Sequence, residues 1–243
     1  MEDKYSEKFI NLVNDSFIKS NNLLSSEKEI GNPYYVGFGN PNARVLILGK
    51  EKGFNKDNIE QLNLESIENI NEWKSYIDNN TSFNYNKFYP ESQYYINAFT
   101  PYLHKVNSGH TWDKYNILLK NLIPEITNQK NDFFKHCFIS EINYQPSKYS
   151  IIKKFNDQIR ITFLKQDFFK SFNITILGCG NYLENDLIED IFDVKFESDL
   201  SLPRQKLVIY RNKERVLINT RHLSIDVTNE YLNSVAKIVK QNL

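Results

Sequence analysis

Cysteine is scarce in this chain, and neither sign of charge is in excess. The 243 residues include only two cysteines, Cys137 and Cys179, and both lie in apolar, strand-like surroundings. Because of these apolar surroundings we expect buried, reduced thiols. Two thiols also cannot supply the four thiolates of a common iron–sulfur cluster. Thirty basic and thirty acidic residues give a formal net charge of zero. Binding of nucleic acid by bulk positive charge is thereby excluded, and any such surface must be a local patch.

Long apolar runs and glycine-rich loops are also missing. No run reaches the roughly 18 apolar residues of a membrane span, and the start, Met-Glu-Asp-Lys, lacks the apolar core of a secretory signal. We therefore expect a cytoplasmic protein that does not bind a membrane. No glycine-rich phosphate loop or dinucleotide fingerprint is present. His104, His110 and His136 lack the spacing of a zinc site, so no metal is expected.

Four short apolar runs are typical of buried β-strands. They are Val45 to Leu48, Cys137 to Ile142, Ile174 to Leu177 and Val216 to Asn219. Fifteen Tyr and seventeen Phe can build a substantial core around them. Strands separated by helices predict an α/β fold, a three-layer α/β/α sandwich with a mostly parallel four-stranded central sheet. We predict one domain over residues 1–243, with an insertion at about 55–110.

Helical spacing of apolar residues predicts the other elements. The predicted helices are an N-terminal one around Tyr5 to Phe17, one near Ile59 to Ile77, one over Trp112 to Leu122, a long one over roughly Ile151 to Phe172, and a last one from about Asn229 to Val239. In addition, Leu207 to Tyr210 and Val216 to Asn219 flank Asn212-Lys213 and predict a hairpin or two neighbouring strands.

Three polar segments follow directly after predicted strands. They are Gly49-Lys50-Glu51-Lys52-Gly53, Asn143-Tyr144-Gln145-Pro146 and His222-Leu223-Ser224. Ligands of open α/β sheets bind in the crevice outside the carboxyl ends of the strands. We therefore expect a carboxylate, a carboxamide and an imidazole to meet in one cleft.

Four motifs, in order, resemble those of the uracil-DNA glycosylase superfamily, most closely its single-strand-selective (SMUG-like) branch. They are the run from Gly39 to Gly49, Asn143-Tyr144-Gln145-Pro146, the run from Ile176 to Asn181, and Arg221-His222-Leu223-Ser224. The chain departs from the family pattern at three positions. Glu51 stands where Asn or Asp is usual, and Lys52 and Leu223 stand where Pro is usual.

The resemblance implies a monofunctional DNA glycosylase, which hydrolyses the bond between base and sugar and leaves an abasic site. Glu51 would position the water and stabilise positive charge on the sugar. Asn143 would pair with the edge of a flipped-out pyrimidine. His222 would donate a hydrogen bond to the oxygen of the departing base. The partner would be DNA, and we expect a monomer that needs no cofactor.

Further residues are assigned around these three. The predicted substrate-binding residues are Gly49, Lys50, Gly53, Phe54 and Ser224, and the predicted DNA-binding residues are Lys52, Lys148 and Arg221. Gly53 is the most informative, because strict uracil enzymes place Tyr there to block substituents at C5. Glycine would leave room for 5-substituted pyrimidines. Phe54 offers an aromatic face for stacking, and Ser224 would bind a phosphate.

Each of these residues also has an ordinary structural interpretation. Glu51 fits a charged surface loop, Asn143 a turn and Ser224 a helix cap.

Two other functions stay open. One is an anti-phage glycosylase that excises hypermodified, for example glucosylated, cytosine; the insertion and Gly53 favour it. The other is a non-catalytic nucleic-acid-binding module of the same fold, favoured by Lys52, Leu223 and the zero net charge.

Overall fold

The part of the chain that the structure describes has an α/β fold built on one mixed sheet of seven strands. A computed structural model describes residues 5–23, 31–53, 68–81, 109–126, 132–147, 154–202, 206–223 and 227–243. The strands are β1 (Phe38–Gly39), β2 (Val45–Gly49), β3 (Cys137–Glu141), β4 (Ile174–Leu177), β5 (Lys195–Phe196), β6 (Val208–Arg211) and β7 (Val216–Asn219). Their order across the sheet is β1-β3-β2-β4-β7-β6-β5.

The four central strands are parallel, and they are the four apolar runs predicted from the sequence. β2 pairs in parallel with β3 and with β4, and β4 pairs in parallel with β7. The prediction of a four-stranded sheet was wrong, because β1, β6 and β5 extend it with antiparallel pairs. β6 and β7 form the predicted hairpin. β1 and β5 have two residues each, too few for an alternating pattern to be recognised.

Six α-helices lie within the described residues. They are α1 (Glu7–Asn21), α2 (Glu68–Asp78), α3 (Gly109–Leu122), α4 (Gln158–Leu164), α5 (Asn185–Phe192) and α6 (Asn229–Gln241). α1 packs against α2, α3 against α6, and α4 against α5. The buried apolar side chains form one continuous cluster. No described helix is long and apolar enough to span a lipid bilayer.

The long helix predicted over Ile151 to Phe172 is much shorter. α4 begins only after Asp157, whose side chain accepts a hydrogen bond from the Arg160 amide and so caps the helix. Before it, the Phe155 amide donates to the carbonyl of Tyr182 (2.8 Å), which holds this stretch in a non-helical conformation. α4 already ends at Leu164.

Strand order places a topological switch point at β2. The chain passes from β2 to β3 on one side and later returns to β4 on the other side. In open α/β sheets, ligands bind in the crevice at such a point, outside the carboxyl ends of the strands. Residues 50–53 occupy that position, so the fold itself marks them as part of a candidate site.

Candidate active site

Backbone pairing continues past the ends of β2 and β3 and fixes the first wall of the site. The amide of Ile142 donates to the carbonyl of Gly49, that of Asn143 to Lys50 (both 2.9 Å), and that of Ser147 to Lys52 (3.0 Å). The segments 49–53 and 142–147 thus lie side by side. Glu51 and Asn143, which are 92 positions apart in sequence, are brought together by this pairing.

The next wall comes from the loops after β4 and β7, which are joined in the same way. The amide of Gly178 donates to the carbonyl of Leu48 (2.9 Å), that of Thr220 to Leu177 (2.8 Å), and that of Gly180 to Thr220 (2.7 Å). This pairing brings the short 3₁₀ helix Gly180–Tyr182 and the segment at His222 to the same edge of the sheet.

Glu51, Asn143 and Tyr182 form the interior of the site. Tyr182 is 1% exposed and Asn143 is 3% exposed. Burial raises the pKa of Tyr182, the carboxylate of Glu51 raises it further, and the amide group of Asn143 acts in the opposite direction, as a hydrogen-bond donor does. The Asn143 Oδ1 also accepts the Gln145 amide (3.0 Å), so a local turn fixes this side chain.

The two lysines beside Glu51 are each held against a tyrosine ring. Lys50 Nζ lies 4.6 Å from the ring centroid of Tyr182, and Lys52 Nζ lies 3.6 Å from that of Tyr35. Both distances are typical of cation–π contacts. Lys52, predicted to contact DNA, is only 9% exposed, and its contact with DNA stays a prediction.

His222 joins the cluster from the β7 side. Its side chain is solvent-accessible, but enough protein surrounds the ring for desolvation to lower its pKa below the ordinary 6.5. Glu51 acts in the raising direction and Lys50 in the lowering direction, so all three side chains share one electrostatic environment. The imidazole is therefore neutral at pH 7, a form in which one ring nitrogen donates a hydrogen bond and the other can accept one.

We expect the imidazole of His222 to titrate below pH 6.5, with a midpoint that responds oppositely to its two charged neighbours. Replacing Lys50 by Met removes a positive charge and raises the midpoint, whereas replacing Glu51 by Gln removes a negative charge and lowers it. NMR titration of the histidine ring protons measures this, with His222→Ala to assign the signal. A midpoint at or above 6.5, or the same shift in both variants, contradicts the arrangement.

Gly49 and Gly53, the two glycines of segment 49–53, have different environments. A Cβ on Gly49 would lie 2.1 Å from Oε2 of Glu141, so this position is small because the Glu141 carboxylate packs on it. That contact gives Gly49 a packing role, and its predicted contact with substrate stays a prediction. Gly53 is exposed, and a Cβ built on it meets no described atom within 4 Å. The space that the sequence predicted beside Gly53 is therefore open among the described residues.

The segment after β7 is anchored by Leu223, the residue that stands where the glycosylase motif has Pro. Leu223 is 1% exposed, and a Cβ on Gly178 would lie 3.5 Å from its Cγ, so Leu223 fills the core beneath the β4 loop. Arg221 is exposed, its guanidinium lies 5.2 Å from the ring centroid of Tyr231, and its amide donates to the Tyr231 hydroxyl (3.2 Å). Arg221 thus lies exposed at this edge of the sheet, and its predicted contact with DNA stays a prediction.

A buried arginine supports the β3 side of the site. Arg160 is fully buried and donates to the carbonyls of Pro33 (3.0 Å), Tyr35 (2.7 Å), Glu141 and Ile142 (3.3 Å) and to Ser140 Oγ (3.2 Å). Desolvation lowers the pKa of Arg160 to about 10, so the group stays charged at neutral pH. The side chain ties the loop before β1 to the end of β3, next to Asn143.

Sequence reasoning identified most of this cluster but missed Tyr182. The only signal available was its position two residues after Gly180, at a predicted strand end. Three predicted residues, Phe54, Lys148 and Ser224, lie outside the described residues. Within the described ranges, no group of three or more His, Cys, Asp or Glu side chains could hold a metal ion.

Comparison with protein-family models and with curated proteins found no match for this chain. The resemblance to glycosylases therefore depends on the motifs in the sequence.

Proposed function

We propose that this protein is a DNA glycosylase that hydrolyses the N-glycosidic bond of uracil or a 5-substituted pyrimidine and leaves an abasic site. The proposal includes the finer architecture, a three-layer α/β/α arrangement similar to that of uracil-DNA glycosylases. The observation that carries it is the meeting of Glu51, Asn143 and His222 at the switch point of the sheet. These residues come from three separate strand ends, and their chemistry fits the three tasks of base excision.

In the proposed reaction, a water molecule attacks C1′ of the sugar while the bond from C1′ to the base nitrogen breaks. The bonding electron pair leaves with the base. Glu51 holds the water, stabilises the positive charge that develops on the sugar and takes up the proton of the water. His222, neutral at pH 7, donates a hydrogen bond to the oxygen of the departing base. Asn143, fixed by its turn, faces the pyrimidine edge.

Release of the base from defined oligonucleotides tests the proposal. Purified protein is incubated with labelled strands, single and double, that carry uracil, 5-hydroxymethyluracil, 5-hydroxymethylcytosine or glucosylated cytosine, and is then treated with alkali to cut abasic sites. Cleavage confined to strands with one of these bases, and dependent on alkali, supports a monofunctional glycosylase. DNA binding without cleavage of any strand would favour the non-catalytic module instead.

A second candidate is a glycosylase for hypermodified cytosine that acts against phage DNA. The open space at Gly53 favours it, since a bulky group at C5 needs room in the pocket. Cleavage of the glucosylated strand, with little or none of the uracil strand, would decide for this candidate.

Replacing Gly53 by Tyr is expected to narrow the choice of base. A Tyr side chain can start from this position because its Cβ meets no described atom, and its ring would take the space of a C5 substituent. We expect release of 5-substituted bases to fall about tenfold or more, while release of uracil stays within about threefold of the wild type.

Gly53→Ala is the matched control for this substitution. It changes the backbone in the same way but adds only a methyl group, and we expect it to keep the wild-type ratio between substituted and unsubstituted bases. An equal loss on both classes of base in Gly53→Tyr would show that Gly53 does not face C5.

A further inference from the structure

Two polar atoms in the interior of the site make no hydrogen bond of full geometry with any described residue. They are Oε2 of Glu51 and the hydroxyl of Tyr182, and both are shielded from solvent. The Glu51 carboxylate and the Asn143 amide are nevertheless near enough to the hydroxyl to shift the pKa of Tyr182 in opposite directions. A buried polar atom without a partner costs free energy, so such atoms are uncommon and call for an explanation. Here the two atoms are chemically matched, because a protonated phenol donates a hydrogen bond and a carboxylate accepts one.

The ring of Tyr182 is held in place by its surroundings. Its backbone carbonyl accepts the Phe155 amide (2.8 Å), and the Phe155 ring lies 5.5 Å away between centroids. Lys50 Nζ lies 4.6 Å from the Tyr182 ring centroid. Glu51 and Asn143 both act on the hydroxyl of this ring, so a ring held in this way keeps the hydroxyl beside them.

We propose that Tyr182 is a positioning residue for Glu51. Its hydroxyl donates to Oε2 of Glu51, either directly or through one water molecule, and so fixes the plane of the carboxylate. Oε1 is then left for the attacking water. The pairing of the two side chains rests on their two buried polar atoms and on the contact of Lys50, the neighbour of Glu51 in sequence, with the Tyr182 ring, whereas its effect on catalysis rests on the proposed glycosylase function.

The charged and titratable neighbours of this pair come from three loops. Lys50 lies in the same segment as Glu51, Cys179 in the β4 loop, and His222 in the β7 loop. Burial raises the pKa of the Cys179 thiol to about 12, so it stays neutral. Asn143, from the β3 loop, is uncharged. Tyr182 is thus the only neutral hydroxyl among these groups, which makes its removal a selective test.

A double-mutant cycle tests the pairing without any substrate. The substitutions are Tyr182→Phe and Glu51→Ala, alone and together, and the measured quantity is the urea midpoint of unfolding at pH 8. We expect Tyr182→Phe to lower the midpoint when Glu51 is present and to have at most half that effect when Glu51 has been replaced by alanine. Equal shifts in both backgrounds would overturn the proposal.

Tyr76→Phe is the control for the cycle. Tyr76 is 7% exposed and lies in α2, where burial and Glu72 raise its pKa, so it is a buried tyrosine that Glu51 does not affect. Its replacement should shift the midpoint by the same amount in the wild type and in the Glu51→Ala variant. Such additivity is expected of residues that do not share partners.

Base release then tests the catalytic consequence. We expect Tyr182→Phe to lower kcat about 10- to 100-fold with little change in KM, because a misplaced carboxylate slows the chemical step more than it weakens substrate binding. An unchanged kcat, or a rise in KM that accounts for the whole loss of kcat/KM, would overturn the positioning role. If the wild type releases no base, the proposed function fails, and the double-mutant cycle still decides the pairing.

Discussion

Glu51→Gln is expected to lower the rate of base release about 10²- to 10⁴-fold. The carboxamide has nearly the same shape as the carboxylate but carries no negative charge, so it cannot stabilise a positive sugar or take a proton from water. DNA binding should be kept, because Glu51 is not a cation and its removal weakens no phosphate contact. Single-turnover base release and equilibrium binding to the same oligonucleotide separate the two effects.

Glu214→Gln is the matched control for this prediction. Glu214 is exposed and follows Asn212-Lys213 in the turn between β6 and β7. Its replacement by Gln therefore removes the same charge as Glu51→Gln, but at a position away from the candidate active site. We expect it to keep wild-type activity. If Glu51→Gln releases base as fast as Glu214→Gln, Glu51 does not position the water, and the reaction must use another group.

Arg160→Met is expected to lower the free energy of unfolding by more than about 3 kcal/mol. The methionine side chain fills part of the volume but donates no hydrogen bond, so four backbone carbonyls and Ser140 Oγ lose their donor inside the protein. Arg160→Lys should also lower the free energy of unfolding, because one ammonium group cannot reproduce the five N–H donors of a planar guanidinium group. Urea denaturation followed by circular dichroism measures both.

Arg211→Met provides the comparison on the surface. Arg211 pairs with Glu197 at 3.1 Å, and its side chain is 47% exposed. Ion pairs of this kind are worth up to about 1 kcal/mol, so the midpoint should move little. Equal shifts of the urea midpoint for Arg160→Met and Arg211→Met would show that the buried guanidinium contributes no more to stability than an exposed one.

The parallel core could be predicted because local pattern and tertiary role agree there. The predictions for Ile174 to Leu177 and Val216 to Asn219 have the same bounds as β4 and β7. Both runs are fully buried and rich in β-branched residues, which is the pattern of a central parallel strand. The prediction of a helix over Ile151 to Phe172 was wrong because it followed the spacing of the apolar residues and overlooked Asp157, a residue type that starts helices.

The missed features of the site depend on partners that lie far away in sequence. Lys52 looks like a surface cation until Tyr35, from the loop before β1, is placed beneath it. Tyr182 looks like a core residue, and only the fold brings Glu51 to its hydroxyl. Backbone position at a strand end can be inferred from one sequence, whereas the direction of a side chain is decided by neighbours that the sequence alone does not reveal.

The attachment of Lys50 and Lys52 to two different tyrosine rings has a consequence for ligand binding. Lysine is among the side chains that lose most conformational entropy when they are immobilised. Here that loss occurs when the chain folds, because both ammonium groups are already held and backbone pairing fixes the residues between them. A ligand that enters the crevice therefore meets an ordered carboxylate, and its affinity is not reduced by the cost of ordering this segment.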